Sequence, residues 1–292
     1  MSYKLLDGRA TSLKVQEAIA SEVEKRVIKG LKRPHLAAVL IGDDTASKAY
    51  VGHKVKACKK VGFESTIVER DANISECELL GIVDKLNNDS EIDGFIVQLP
   101  LPSHINAQKV IEAVSPIKDV DGFHPENVGK MALGLKTFKP ATPSGVITLL
   151  EHYNINTEGL HAVVIGRSDI VGNPISALLR MNTAPGNCTV TQCHSRTVNL
   201  KFHTFQADII VAAIGKPNFI TEDMVKEGAI VIDVGINRID DSSRKSGSRL
   251  VGDVDFDNVA PKCSWITPVP GGVGPMTIAA LLENTLLAAN GK

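Results

Sequence analysis

The sequence predicts a two-domain α/β protein, an N-terminal α/β domain followed by a Rossmann-like nucleotide-binding domain, with the final helix returning to the first domain. Three observations carry this. Helix-like and strand-like segments alternate along the chain. Its 292 residues exceed what a single hydrophobic core usually serves. Two βα series are separated by Pro140-Ala141-Thr142-Pro143, which sets the expected domains at residues 1–143, joined by 276–290, and 144–275.

In the first series, a helical pattern over residues 9–27 ends at Gly30 and a strand follows at 36–41. A helix over 46–61 is closed by Gly62, then come a strand near 65–68, a helix near 76–86 and a strand at 94–98. That last strand runs into Gln98-Leu99-Pro100-Leu101-Pro102, where the prolines end ladder bonding at the carboxyl edge that forms the ligand crevice of open parallel sheets. In the second series a helix over 144–153 leads to strands at 162–165, 189–193, 208–214, 229–234 and 265–266. Residues 240–248 read as a disordered loop, and a glycine-rich turn precedes the last helix at 277–289.

Composition narrows the partners. The 43% hydrophobic and 22% charged content is that of a globular protein, and only 4% aromatic residues argue against a stacking surface for carbohydrate or single-stranded nucleic acid. A formal net charge of −1, with acids and bases interspersed, gives no field for a polyanion or an anionic membrane. Neither nucleic acid nor membrane is therefore expected as a partner. The N-terminus lacks the apolar stretch of a signal peptide, so a cytoplasmic location is expected. Five cysteines, odd in number and without a C-x-x-C pair, read as reduced thiols with no metal.

The dinucleotide signal follows the first strand of the second series. Gly166-Arg167-Ser168-Asp169-Ile170-Val171-Gly172-Asn173-Pro174 lacks the middle glycine of G-x-G-x-x-G, yet the mechanics are retained. Gly166 permits the tight turn, Gly172 is expected to let the backbone approach a phosphate, and Asn173-Pro174 reads as a cap and first helical residue. The next strand ends in Cys193-His194-Ser195-Arg196, where an NAD-selective fold places an acid. Ser195 with Arg167, helped by Arg196, suits instead the 2′-phosphate of NADP.

The catalytic face is read from the helix opened by Gly42-Asp43-Asp44-Thr45-Ala46-Ser47. Tyr50 and Lys54 lie four residues apart and project from one side. A lysine there is titratable, and the neutral amide of Gln98 can orient it without adding charge. Asp119-Val120-Asp121-Gly122-Phe123 places two carboxylates in a turn, and spacing does not choose between them. His124 reads as a loop residue and Met131 as core filler. The run Thr267-Pro268-Val269-Pro270-Gly271-Gly272 is too rigid for a mere connector and is expected to line the cleft.

Taken in order, these segments closely resemble the bifunctional methylenetetrahydrofolate dehydrogenase/methenyltetrahydrofolate cyclohydrolase family over nearly the whole chain. Carrying the resemblance are Gly42-Asp43-Asp44, Tyr50-Val51, Lys54, Lys56-Ala57-Cys58 and Gln98-Leu99-Pro100-Leu101-Pro102, with Asp119-Val120-Asp121-Gly122-Phe123. So do Gly166-Arg167-Ser168, Val171-Gly172, Pro174 and residues 268–277. The resemblance implies a folate-binding catalytic first domain and an NADP-binding second one. It implies oxidation of 5,10-methylene-tetrahydrofolate by NADP to the methenyl form and hydrolysis of that cation to 10-formyl-tetrahydrofolate. By the family pattern Lys54, Gln98 and Tyr50 are catalytic. Tyr50 stacks on the aminobenzoyl part, Asp121 holds the pterin, and Leu99, Pro270 and Gly271 border the substrate. Gly166, Arg167, Ser168, Gly172, Ser195 and Ile236 would bind NADP, and a homodimer through the nucleotide domain is implied.

Two departures stand out. Ala141 precedes Thr142-Pro143 where many members have cysteine, and the loop around residues 182–188 is longer than in many. A single-activity dehydrogenase would not need both Lys54 and Gln98, and a noncatalytic sensor would not need the reactive constellation. A shikimate-dehydrogenase-like enzyme would leave Tyr50 with Asp121 unexplained.

Overall fold

The computed structural model describes residues 3–244 and 247–291. The chain divides into two compact units, Met1–Ser12 with Thr142–Thr277, and Leu13–Ala141 with Ile278–Lys292. It opens with β1 (Lys4–Leu5) and α1 (Gly8–Ile28), then runs through β2 (His35–Ile41), α2 (Thr45–Val61), β3 (Glu64–Arg70), α3 (Glu76–Asn88) and β4 (Gly94–Val97). Two short helices, α4 (Ala107–Ala113) and α5 (Pro125–Ala132), precede α6 (Ala141–His152).

The unit that begins at Leu13 is built on a parallel sheet of order β3-β2-β4. Its central strand is apolar and buried from Leu36 to Ile41, as expected where both faces are covered. Leu36, Ala38 and Leu40 pack into one layer with Val51, Val61 and Leu281, while Ala37, Val39 and Ile41 pack into another with Leu79, Val83 and Phe95. Helix α3 starts with a reciprocal capping box between Ser75 and Glu78. Ala141 is buried in the first layer, so its methyl group serves packing.

The second stretch contains β5 (His161–Ile165), α7 (Gly172–Arg180), β6 (Thr189–Cys193), α8 (Leu200–Phe205), β7 (Ile209–Ala212) and β8 (Ile230–Asp233). A hairpin of β9 (Asn237–Asp240) and β10 (Ser248–Val251), then α9 (Phe256–Val259), β11 (Trp265–Ile266) and α10 (Val273–Ala289), complete it. Among the described residues the main sheet is parallel, with order β1-β11-β8-β7-β5-β6. Its core is formed by Val163, Ile165, Ile210, Ala212, Val231 and Ile266 with their neighbours. Among the described residues no helix is long and apolar enough to cross a membrane.

Four expectations change. Residues 3–12 group with the six-stranded unit, because β1 pairs with β11 and Leu6 N–H donates to the Ile266 carbonyl at 2.9 Å. Two residues hold one repeat of a strand period, too little to register as a pattern. Helix α6 starts at Ala141, three residues early, since Pro143 falls in the first turn, where its missing N–H is harmless. Helix α10 likewise starts at Val273, with Pro275 in its first turn. The loop expected to be disordered joins the paired strands β9 and β10; its residues 245 and 246 lie outside the described residues.

From α10, buried Asn284 donates through Nδ2 to the carbonyls of Val120 at 2.8 Å and Lys139 at 2.9 Å. This ties the turn containing Asp121 to the segment before α6. Asn284→Ala is expected to destabilise the protein by about 1–3 kcal/mol, since two acceptors lose their donor in a buried place. Denaturant unfolding measures this, and an unchanged midpoint would contradict it.

Candidate active site

Helix α2 positions the first functional pair. The Asp44 carboxylate caps it by accepting the Ser47 N–H at 2.8 Å, and Gly62 ends it in the left-handed conformation at φ 79°. Between these limits Tyr50 and Lys54 share a face. Lys54 is only 6% exposed. Its ammonium donates to Gln98 Oε1 at 3.1 Å and lies 5.3 Å from the centre of the Tyr50 ring. Gln98 follows β4 and donates through Nε2 to the Leu99 carbonyl at 2.7 Å, which fixes its amide with the oxygen toward lysine. Burial holds the Lys54 pKa below the ordinary value, and the charge of Asp121 partly opposes the shift. One turn on, burial pushes the Cys58 thiol up to about 12, so it adds no charge beneath the lysine.

The structure separates the two aspartates that spacing could not. Asp119 is buried and accepts N–H bonds from Gly122 at 3.1 Å, Phe123 at 3.2 Å, His124 at 2.8 Å and the Asn127 amide at 2.8 Å. Its task is to hold the turn. Asp121, half-buried, borders with Asp119, Leu99 and Phe123 a small cavity, and its carboxyl takes no part in holding the turn. Its carboxyl is pushed up to about 6, chiefly by burial, with Lys54 pulling it down. Gly122 between them has φ 75°, and a Cβ there would stand 2.6 Å from the Lys139 carbonyl carbon. His124 caps α5, its Nδ1 accepting the Glu126 N–H at 3.1 Å. Tyr50, Lys54, Gln98, Leu99 and Asp121 thus all belong to one unit.

The nucleotide residues belong to the other. At the carboxyl ends of β5, β6 and β7 lies a cavity of about 580 Å³ whose lining includes Gly166, Arg167, Ser168, Ser195 and Lys216. Gly166 has φ 135°, and a Cβ there would stand 2.3 Å from the Ala213 carbonyl oxygen. Arg167 and Ser195 are exposed, and among the described residues no carboxylate pairs with Arg167. A glycine turn beside an unpaired guanidinium fits a phosphorylated dinucleotide.

Several details differ from expectation. Gly172 is buried, and a Cβ there would lie 2.4 Å from the Gly166 carbonyl oxygen, so glycine is needed to seat α7 against its own loop. Val171, not Asn173, occupies the N-cap of α7. The Asn173 side chain instead donates to Asp169 at 2.8 Å and accepts from Gln192 at 2.9 Å, while Ser168 Oγ accepts the Gly172 N–H at 3.3 Å. Arg196 and Ile236 are not in the cavity lining; Ile236 is 51% exposed, with its Cδ1 facing Gly274. Pro270 and Gly271 lie in the turn before α10, where the Gly271 carbonyl accepts the Arg9 N–H at 2.9 Å. Lys216, which also lines the cavity, follows the end of the parallel strand β7 by four residues.

Residues 6–121 match the catalytic-domain model of tetrahydrofolate dehydrogenase/cyclohydrolase, and residues 140–292 match that family's NAD(P)-binding domain. The bifunctional protein FolD of Porphyromonas gingivalis is 58% identical over 290 residues, covering 99% of this chain and 98% of that relative. The crystal structure of the bifunctional FolD methylenetetrahydrofolate dehydrogenase/cyclohydrolase from Campylobacter jejuni is similar at a TM-score of 0.93 and 47% identity, covering 99% of both chains. The Trypanosoma brucei enzyme, crystallised with NADP and an inhibitor, is similar at 0.93 and 38% identity, covering 99% of this chain and 98% of that one.

The raised Asp121 pKa has a consequence for stability. A carboxyl that titrates near 6 in the folded protein and at 3.8 in the unfolded chain binds its proton more tightly when folded. Its contribution to stability is therefore lost as pH rises between those values. Asp121→Asn should flatten that fall and melt at a higher temperature than wild type at pH 7. Calorimetry across pH 4–7 tests this, and an equal or lower melting temperature at neutral pH would refute it.

Proposed function

The chain belongs to the tetrahydrofolate dehydrogenase/cyclohydrolase family, and from that premise we propose how its residues share the work. The activity is that of a bifunctional enzyme. It oxidises 5,10-methylene-tetrahydrofolate with NADP to the 5,10-methenyl form and hydrolyses that to 10-formyl-tetrahydrofolate. One observation carries the assignment of residues: a buried lysine held by a neutral amide, against a tyrosine ring and within the field of one carboxylate.

In the oxidation, NADP supplies the acceptor for the hydride leaving the methylene carbon. The protein's share is to hold that carbon in place. Tyr50 offers its ring to the aminobenzoyl part, and Asp121 accepts N–H bonds from the pterin. Leu99, Pro270 and Gly271 border the substrate on the family pattern.

Hydrolysis falls to Lys54. The methenyl substrate carries a positive charge, which adds to burial in disfavouring the ammonium. The neutral amine accepts a proton from the attacking water. As the C–O bond forms, the electron pair of the C=N bond returns to nitrogen and the substrate's charge disappears. Gln98 can accept a hydrogen bond from the lysine in either protonation state, so it holds Nζ in place throughout.

For NADP, Arg167 and Ser195 are assigned to the 2′-phosphate, and Gly166 and Ser168 to the turn that receives the pyrophosphate. Gly172 supports that turn from behind. Ile236 is carried on the family pattern. The reading includes a homodimer through the nucleotide-binding unit, supported by the edge position of β6 and by Phe202 and Phe205 on α8, 62% and 50% exposed. It also includes a cytoplasmic location, in keeping with five free cysteines.

Lys54→Met is expected to abolish hydrolysis, with methenyl-tetrahydrofolate accumulating while NADPH is still formed; methenyl and NADPH absorbance followed together measure this. Normal cyclohydrolase turnover in the variant would refute the assignment. Arg167→Ala is expected to weaken NADP by about tenfold or more with little effect on NAD, the loss of one charge-assisted phosphate contact. Unchanged NADP affinity would remove the phosphate clamp.

A further inference from the structure

The turn after β7 presents three successive backbone N–H groups, from Ile214, Gly215 and Lys216, at a strand end where open parallel sheets bind ligands. Such a run is an anion-binding nest. Here it is filled from within. Asp253 Oδ2 accepts from Ile214 at 2.6 Å and Gly215 at 2.9 Å, while Oδ1 accepts from Lys216 at 2.9 Å and from the Asn237 amide at 2.9 Å. Asp253 is fully buried, and a Cβ at Gly235 would approach its Oδ1 to 2.2 Å. No ligand phosphate can take these amides while the carboxylate holds them.

What the turn still offers a ligand is the Lys216 side chain. It lines the same cavity as Gly166, Arg167 and Ser195, and its ammonium stands 5.6 Å from the Phe219 ring centre. Among the described residues no carboxylate pairs with it. An exposed lysine whose backbone is pinned by a buried acid, and whose charge is unclaimed, faces the place assigned to a polyanionic cofactor. We propose that Lys216 is a cofactor-binding residue that supplies a second cation, after Arg167, to the phosphates of the dinucleotide. The inference rests on the NADP reading above. Asp253 acts through Lys216, by fixing where its side chain starts.

The test is equilibrium titration with NADPH and NADH, by ligand fluorescence at low and high salt, for wild type, Lys216→Met, Lys216→Arg and Arg167→Ala. Lys216 is exposed, so its variants should keep the wild-type melting temperature. Lys216→Met is expected to lose about tenfold in NADPH affinity with a shallower salt dependence, and Lys216→Arg to retain most of the affinity. A loss confined to NADPH assigns the contact to the 2′-phosphate, and a loss shared with NADH assigns it to the pyrophosphate. Unchanged NADPH affinity in Lys216→Met beside a weakened Arg167→Ala overturns this inference alone. Unchanged affinity in both overturns the nucleotide-site reading as well.

Discussion

In β2, alternate side chains enter opposite apolar layers, so every residue between Leu36 and Ile41 is committed to packing. The strands β5, β7 and β8 are buried just as completely. A parallel sheet covered on both faces has no side chains to spare for chemistry along its length. The residues proposed for the site accordingly stand where the strands stop or on the helices that follow. Gln98 comes directly after β4, Gly166 directly after β5, Ser195 two residues beyond β6 and Lys216 four beyond β7. Tyr50 and Lys54 come from α2, the helix that follows β2.

Loops at strand ends need their own means of staying in place, and here buried carboxylates provide it. Asp119 and Asp253 each accept four N–H donors, and Asp233 accepts those of Gly235, Asp253 and Val254. These bonds favour the charged forms, but burial still pushes Asp233 up to about 6. Glycine is required around these acids, since a Cβ at Gly252 would lie 1.8 Å from Asp233 Oδ2. Once the backbone amides are taken by internal acids, ligands are met by side chains. Asp121 is the example: two residues from an acid wholly occupied by the turn, it borders the same small cavity half-buried, with its carboxyl not engaged in holding the turn.

Local chemistry was legible in the sequence, and long-range chemistry was not. The cap at Asp44, the stop at Gly62 and the shared face of Tyr50 and Lys54 depend on spacings of a few residues, which sequence displays directly. The meeting of Lys54 with Gln98 spans 44 residues and was reached through the rule that ligands gather at strand ends. No such rule points to Asn284, whose partners lie 164 and 145 residues away, or to Asp253, which looks like one more polar residue after a short strand. At Gly172 the sequence suggests ligand approach, and the structure adds a packing demand for glycine that spacing does not display, the contact with Gly166. Nor does a two-residue strand display the pairing of β1 with β11 that groups residues 3–12 with the six-stranded unit.

On the proposed assignment, the neutral partner of Lys54 follows from the lysine's part in hydrolysis. A carboxylate in the place of Gln98, 3.1 Å from Nζ, would raise the lysine pKa and hold it charged, leaving no base for the incoming water. An amide oxygen accepts from ammonium and amine alike, so it fixes position while leaving protonation to the surroundings. Those surroundings are balanced, since burial favours the amine and the more distant charge of Asp121 favours the ammonium. On the proposed assignment, the methenyl cation tips the balance toward the amine when it binds, and attack by water tips it back by removing that cation. The proton gained by Lys54 then replaces the charge lost by the substrate, so the total charge in the buried site does not change during hydrolysis. In a low-dielectric place, where a change of net charge would be the largest electrostatic penalty, that constancy explains why a titratable base is more useful there than a permanently charged one.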